Sequence, residues 1–174
     1  AILSLCGKIV ITENDRYCVK IQTENLAVAR KYFTLLRKTF NIRAEVSVRK
    51  SREVRFYSVI VSKDPEARRL LGETCLLDKD GNVSECMSPM HHRLLRQNCC
   101  RRAFIRGAFL AVGSVSDPEK SYHFEIVCTA PEKARQLQEL LASYDVDAKV
   151  VLRKRHYVVY IKAVSYTHLT LPTT

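Results

Sequence analysis

The stretch RRAFIRGAFLAVGSV, Arg101 to Val115, decides how this chain folds. At helical spacing Ala103, Gly107 and Ala111 share one face, and the apolar run stops at Gly113. Glycine inside a helix costs about 1 kcal/mol relative to alanine, so close packing has to offset it. Small side chains four residues apart let a second helix backbone approach, as they do in small-residue helix pairs. The partner is found at the start of the chain. AILSLCG, Ala1 to Gly7, reads as the tail of the same kind of helix, with Gly7 opposite Gly113. Ala1, Gly7, Ala103, Gly107, Ala111 and Gly113 are thus the expected helix-pair interface.

Beyond these helices the chain repeats itself. YCVKIQTENLAVARKYFTLLRKTFNIRAEVSVRK aligns with YHFEIVCTAPEKARQLQELLASYDVDAKVVLRK. Tyr17 meets Tyr122, Ile21 meets Ile126, Ala29-Arg30 meets Ala134-Arg135, and Leu35-Leu36 meets Leu140-Leu141. After a one-residue deletion, Arg49-Lys50 meets Arg153-Lys154. Each copy predicts a glycine-stopped helix, then a hairpin with alternating apolar residues such as Tyr17, Val19 and Ile21. An amphipathic helix follows, over 24–40 or 131–144, with Leu26, Ala29, Phe33, Leu36 and Phe40 as the buried stripe of the first. Pro131 suits a first helical turn. A second hairpin closes each copy, and DPEARRLLG adds a helix to the first. The expected fold is α+β, a duplicated αββαββα unit whose copies are related by a pseudo-twofold axis and joined by a linker. One domain would span 1–164, with the first copy at 1–72, the linker at 73–97 and the second copy at 98–164.

Composition narrows the function. The 174 residues carry 29 basic against 18 acidic side chains, a formal charge of +11. Such a balance points to a polyanionic partner, nucleic acid before a membrane. No run approaches the roughly 20 apolar residues that span a bilayer, and no signal peptide is visible. Seven cysteines, scattered and odd in number, read as reduced thiols of a cytoplasmic protein. The chain opens inside an apolar run without a methionine, as a fragment would. Its end, residues 165–174, has no helical stripe and reads as a non-native or disordered tail.

Two resemblances follow from these residues. IRGAFLAVG, Ile105 to Gly113, resembles the motif helix of LAGLIDADG homing endonucleases, with Gly107 at its third position and Gly113 at its last. That resemblance implies a metal-binding carboxylate at the eighth position. Here that position holds Cys6 in one copy and Val112 in the other, and Ser4 and Leu110 stand at the sixth. Magnesium-assisted phosphodiester hydrolysis needs hard oxygen ligands, so no catalytic residue, metal or cofactor is expected. QTENLAVARKYFTLLRK, NCCRRAFIRGAFLAVGSVSDPEKSYHFEI and VLRKR resemble the WhiA family of bacterial DNA-binding regulators. Membership would imply a degenerate LAGLIDADG domain, a C-terminal helix-turn-helix domain not present in this sequence, and a nucleoid-associated role in transcription linked to sporulation or cell division. Proteins of the transcription machinery would be further partners.

Candidate sites follow from this arrangement. Around Arg49, residues 43, 45, 47 and 49 alternate with Ile42, Ala44, Val46 and Val48. Lys149 and Arg153 fall on the corresponding face of the second copy. Arg43, Arg49, Lys149 and Arg153 could therefore line one saddle, with Arg52, Arg55 and Arg155 at hairpin ends, although Glu45, Asp147 and Glu125 interrupt it. Such a surface would grip phosphates. The alternatives are a protein-interaction module that does not touch DNA and, less favoured, an active nuclease. Cys86, His91, His92, Cys99 and Cys100 lack a zinc spacing, and Asp78, Asp80, Gly81 and Asn82 lack the terminal ligand of a calcium loop. DKDG reads as a turn.

Overall fold

The computed structural model describes residues 1–77, 82–83, 93–115 and 123–162. The first copy comprises α1 (Ile2–Cys6), β1 (Gly7–Ile11), β2 (Tyr17–Thr23), α2 (Leu26–Phe40), β3 (Glu45–Ser51), β4 (Val54–Val61) and α3 (Asp64–Glu73). The second comprises α4 (Asn98–Val112), β5 (Gly113–Val115), β6 (His123–Cys128), α5 (Pro131–Ala142), β7 (Lys149–Arg153) and β8 (His156–Lys162). A single 3-10 turn, Arg93–Leu95, leads into α4. Each copy builds one antiparallel sheet, in the orders β1-β2-β4-β3 and β5-β6-β8-β7. The duplication read from the repeat is the fold: αββαββα in the first copy and αββαββ among the described residues of the second. The expected DKDG turn of the linker and the tail lie outside the described residues.

Local chemistry explains the helix bounds. Asn25 caps α2 by accepting hydrogen bonds on Oδ1 from the Ala27 and Val28 amides, at 2.9 and 3.4 Å. Asn41 ends it in the left-handed conformation, φ 52°, with its amide on the Leu36 carbonyl. Gly7 and Gly113 end α1 and α4 differently. Both backbones are extended, so no left-handed turn calls for glycine. The chain passes straight from helix to strand, and a β-carbon at either position would collide with the Leu3 or Phe109 carbonyl one turn earlier.

The helices pack on one face of each sheet. Val19, Ile21, Val59 and Val61 meet Val28, Ala29, Tyr32 and Leu36 of α2 and Ala67, Leu70 and Leu71 of α3. Ile126, Cys128 and Val159 meet Ala134, Leu137 and Leu141 of α5. Fully burying a side chain such as Ile21 or Leu36 stabilises by roughly 2 kcal/mol. An exposed pair such as Arg135–Glu139, 3.9 Å apart, contributes well under 1 kcal/mol. Core packing therefore holds α2 and α5 in place. The stripe read for α2 is corrected here: Val28 and Tyr32 are buried, whereas Leu26 is exposed and Phe33 and Phe40 only half-buried. The contact line of α2 runs through 28, 29, 32 and 36.

The two copies meet through α1 and α4. Leu5 of α1 sits in the second copy's core, and Ala111 of α4 packs against the first copy's core. The Lys133 ammonium of α5 donates to the Ser4 carbonyl at 2.6 Å, a further tie between the copies. Ala103 is a correction: it is exposed, while Ala108, one residue beyond Gly107, is fully buried. Ala1 stands against Gly107, so α1 covers α4 only from that turn onward. Ala103, one turn back, lies past the contact.

Candidate nucleic-acid interface

Strand register sorts the charged residues between two faces. The helix-facing side of the first sheet carries Val19, Ile21, Val59 and Val61. Alternation places Lys8, Lys20, Gln22, Phe56, Ser58, Ser47 and Arg49 on the opposite, open side. Lys8 and Lys20 are direct cross-strand partners. In the second sheet the open side carries Ser114, Glu125, Val127, His156, Tyr160, Lys149 and Arg153.

The expected basic residues are therefore not equivalent. Arg49 lies on the open face, exposed, and Arg43 lies in the segment before β3, which begins only at Glu45. Neither makes an ion pair with another described residue. Arg52 and Arg155 occupy hairpin turns in positive-φ conformations. Arg55 is a correction: opposite Lys50 and in phase with Tyr57 and Val59, it belongs to the helix-facing side. In the second sheet the charge is locally compensated. Lys149 pairs with Asp147 at 2.8 Å, which holds its pKa above the ordinary lysine value. Arg153 Nη1 pairs with Glu125 Oε1 at 2.9 Å, and the Arg153 Cζ lies 6.0 Å from the centroid of the Tyr160 ring. Glu45, in the first sheet, instead accepts from the Ser62 hydroxyl.

Lys8, Lys20, Phe56 and Tyr160 were missed from the sequence. The signal was present as alternation in KIVI and YCVKIQT, but Lys8 and Lys20 become a pair only through the register of β1 on β2.

The two motif helices end at one cleft of about 430 Å³, lined among others by Cys6, Gln22, Glu24, Phe56, Leu110 and Val112. The two positions where the nuclease motif calls for acids thus do converge. They hold a thiol and an isopropyl group. Burial pushes the Cys6 pKa up, and its Sγ–H donates to the Ile2 carbonyl at 3.2 Å. A protonated, internally bonded thiol is a poor ligand for a hard cation. Neither motif position offers magnesium an oxygen ligand, and Glu24 is the only carboxylate among the residues that line the cleft. Among the described residues no group of three or more His, Cys, Asp or Glu side chains could hold a metal ion. Cys99 and Cys100 place their sulfurs 4.0 Å apart at the start of α4. Cys86, His91, His92, Asp78, Asp80 and Gly81 lie outside the described residues. Among the described residues no helix is long and apolar enough to cross a membrane.

Comparison with known proteins agrees with this geometry. Residues 1–77 match the family described as the WhiA N-terminal LAGLIDADG-like domain, and residues 101–169 match the WhiA LAGLIDADG-like domain. The chain is 44% identical over 164 residues to the probable cell division protein WhiA of Lachnoclostridium phytofermentans, covering 93% of this chain and 52% of that protein. It thus spans about half the length of the curated relatives it matches. The crystal structure of the N-terminal LAGLIDADG domain of DUF199/WhiA superposes with a TM-score of 0.67 at 18% identity, over 94% of this chain and 71% of that one. The homing endonuclease I-DmoI, crystallised with DNA and manganese, superposes with a TM-score of 0.55 at 16% identity, over 92% of this chain and 86% of that one.

Proposed function

The chain belongs to the WhiA family, and from that premise we propose that it is the non-catalytic, DNA-contacting part of a bacterial regulator of cell division and transcription, acting at the nucleoid in the cytoplasm. One observation carries the non-catalytic reading. The cleft that would have to hold a metal between the motif helices presents Cys6 and Val112 where two carboxylates would be needed. The DNA-contacting reading rests on the open faces of the sheets, where Lys8, Lys20 and Arg49 supply positive charge in the first copy and Lys149 and Arg153 in the second. Arg43, Arg52 and Arg155 extend that charge at segment ends.

Such a surface holds duplex DNA through phosphates, and sequence discrimination would fall mainly to a helix-turn-helix domain elsewhere in the regulator. Binding by this chain is expected in the non-specific range, about 10⁻⁴–10⁻⁶ M, and to weaken steeply with salt. Fluorescence anisotropy with two unrelated duplexes at several salt concentrations tests it. Equal, salt-sensitive binding supports the reading, and no binding at low salt sinks it. Incubation with plasmid and magnesium or manganese tests the rest, since chelator-sensitive nicking would restore the nuclease.

A further inference from the structure

Strand β3 ends its sheet with all seven residues exposed. Its apolar side chains do not face the open side. Val46 is opposite Val59 and Val48 opposite Tyr57, so both lie on the side that α2 covers. The cover is incomplete: Val46 is 54% exposed and Val48 60%. A cleft of about 260 Å³ runs between α2 and β3, lined by Leu26, Phe33, Val46 and Tyr57 with Arg30 at its rim. The next rung on the same side is the pair Lys50 and Arg55. An apolar floor thus leads to a basic end, and no carboxylate is among the residues that line it. Glu45, adjacent to Val46 in sequence, lies on the open side of the sheet, and Glu53 sits in the hairpin turn.

In the second copy the matching strand residues Val150 and Leu152 are also exposed, at 37% and 61%, but the helix is fastened to the segment ahead of the strand. In the aligned repeat Gln138 stands where the first copy has Phe33. Its Nε2 donates to the Ala148 carbonyl at 2.7 Å, fastening α5 to the backbone ahead of β7. Phe33 has no group with which to make that bond. Among the described residues β3 has no strand on its outer edge, which offers main-chain donors and acceptors to an added strand, the arrangement that β-augmentation uses.

We propose that the cleft between α2 and the edge strand β3 docks an extended segment of a partner protein whose alternate side chains, those on one face, are apolar beside Val46 and Val48 and acidic beside Lys50 and Arg55. Its backbone pairs with β3, its apolar residues cover Val46 and Val48, and its carboxylates meet Arg30, Lys50 and Arg55. Charge decides against a second copy of this chain as occupant. At +11, two copies would bring the same basic rim together. The docking surface lies on the side of the sheet away from the open face and does not depend on DNA binding.

The test uses the whole chain and a fluorescein-labelled peptide as long as β3, with valines and then glutamate at alternate positions and threonine between them, followed by anisotropy. Saturable binding is expected, weakened at least about tenfold by Val48→Lys and by the pair Lys50→Glu with Arg55→Glu. Ser47→Ala, on the opposite face of β3, should leave it unchanged. All these positions are exposed, and melting curves of each variant check that the fold is kept. The proposal is overturned if the peptide fails to bind below about 1 mM, or if Val48→Lys and the charge-reversed pair bind it like the parent. It is equally overturned if sedimentation finds a dimer that Val48→Lys dissolves, or if Val48→Lys abolishes duplex binding and duplex displaces the peptide.

Discussion

A β-carbon placed on Gly107 would lie 2.8 Å from the Ala1 methyl. Carbon atoms make comfortable contact only beyond about 3.5 Å, so α1 and α4 approach too closely here for any larger residue. Gly107→Leu is expected to push the two helices apart and cost about 2 kcal/mol through overpacking. A lowered urea midpoint checks it, and an unchanged midpoint would remove Gly107 from the contact.

Glu125 holds Arg153, so the second sheet's open face is less attractive to phosphate than its sequence implies. Glu125→Gln should free the guanidinium, tighten duplex binding and steepen the salt dependence by about 0.9 in the log–log slope. Arg49→Ala should do the reverse by a similar amount. The two slopes, measured on unrelated duplexes, decide. Weaker binding by Glu125→Gln would mean that the open face is not where DNA lies.

Asp64 anchors α3 to the first hairpin. Its Oδ1 accepts from the Tyr17 amide at 2.6 Å, and both its oxygens accept from Arg68 Nε, at 3.0 and 3.1 Å. These bonds, the Tyr17 amide foremost, hold the carboxyl pKa below its ordinary value of 3.8. A carboxylate with a depressed pKa adds stability that is present above the unfolded value and lost as pH falls through the folded one. Asp64→Asn should therefore be less stable than the parent at neutral pH, with the gap closing as pH falls below 3.8. Melting temperatures across that interval test the sign, and a gap that widened in acid would refute it.

Tyr32 is 6% exposed, yet its hydroxyl has no hydrogen-bond partner among the described residues. A buried hydroxyl left unpaired costs about 1–3 kcal/mol. Tyr32→Phe should hold or raise the denaturation midpoint, because the ring stays and only the costly oxygen goes. A fall of more than about 1 kcal/mol would mean the hydroxyl is satisfied after all.

Much of this protein is legible in its sequence alone. The repeat, the element order, the glycine stops at Gly7 and Gly113, and the absence of acids at positions 6 and 112 are all local or periodic facts. Periodicity survives translation into structure because helix and strand spacing is set by backbone geometry alone. The opposite faces of Val48 and Arg49 follow from it directly. What only the tertiary structure decided are relations between segments distant in the chain. Arg153 meets Glu125, 28 residues away, through the register of three strands. Arg55 falls on the helix-facing side because of where β4 pairs with β3, and Cys6 and Val112 share a cleft because α1 packs on α4. The buried line of α2 moved to Val28 and Tyr32, and Ala103 came out of the contact. A sequence carries the period of an element. Its rotation and its partners are set by sheet twist, register and the shape of what it packs against.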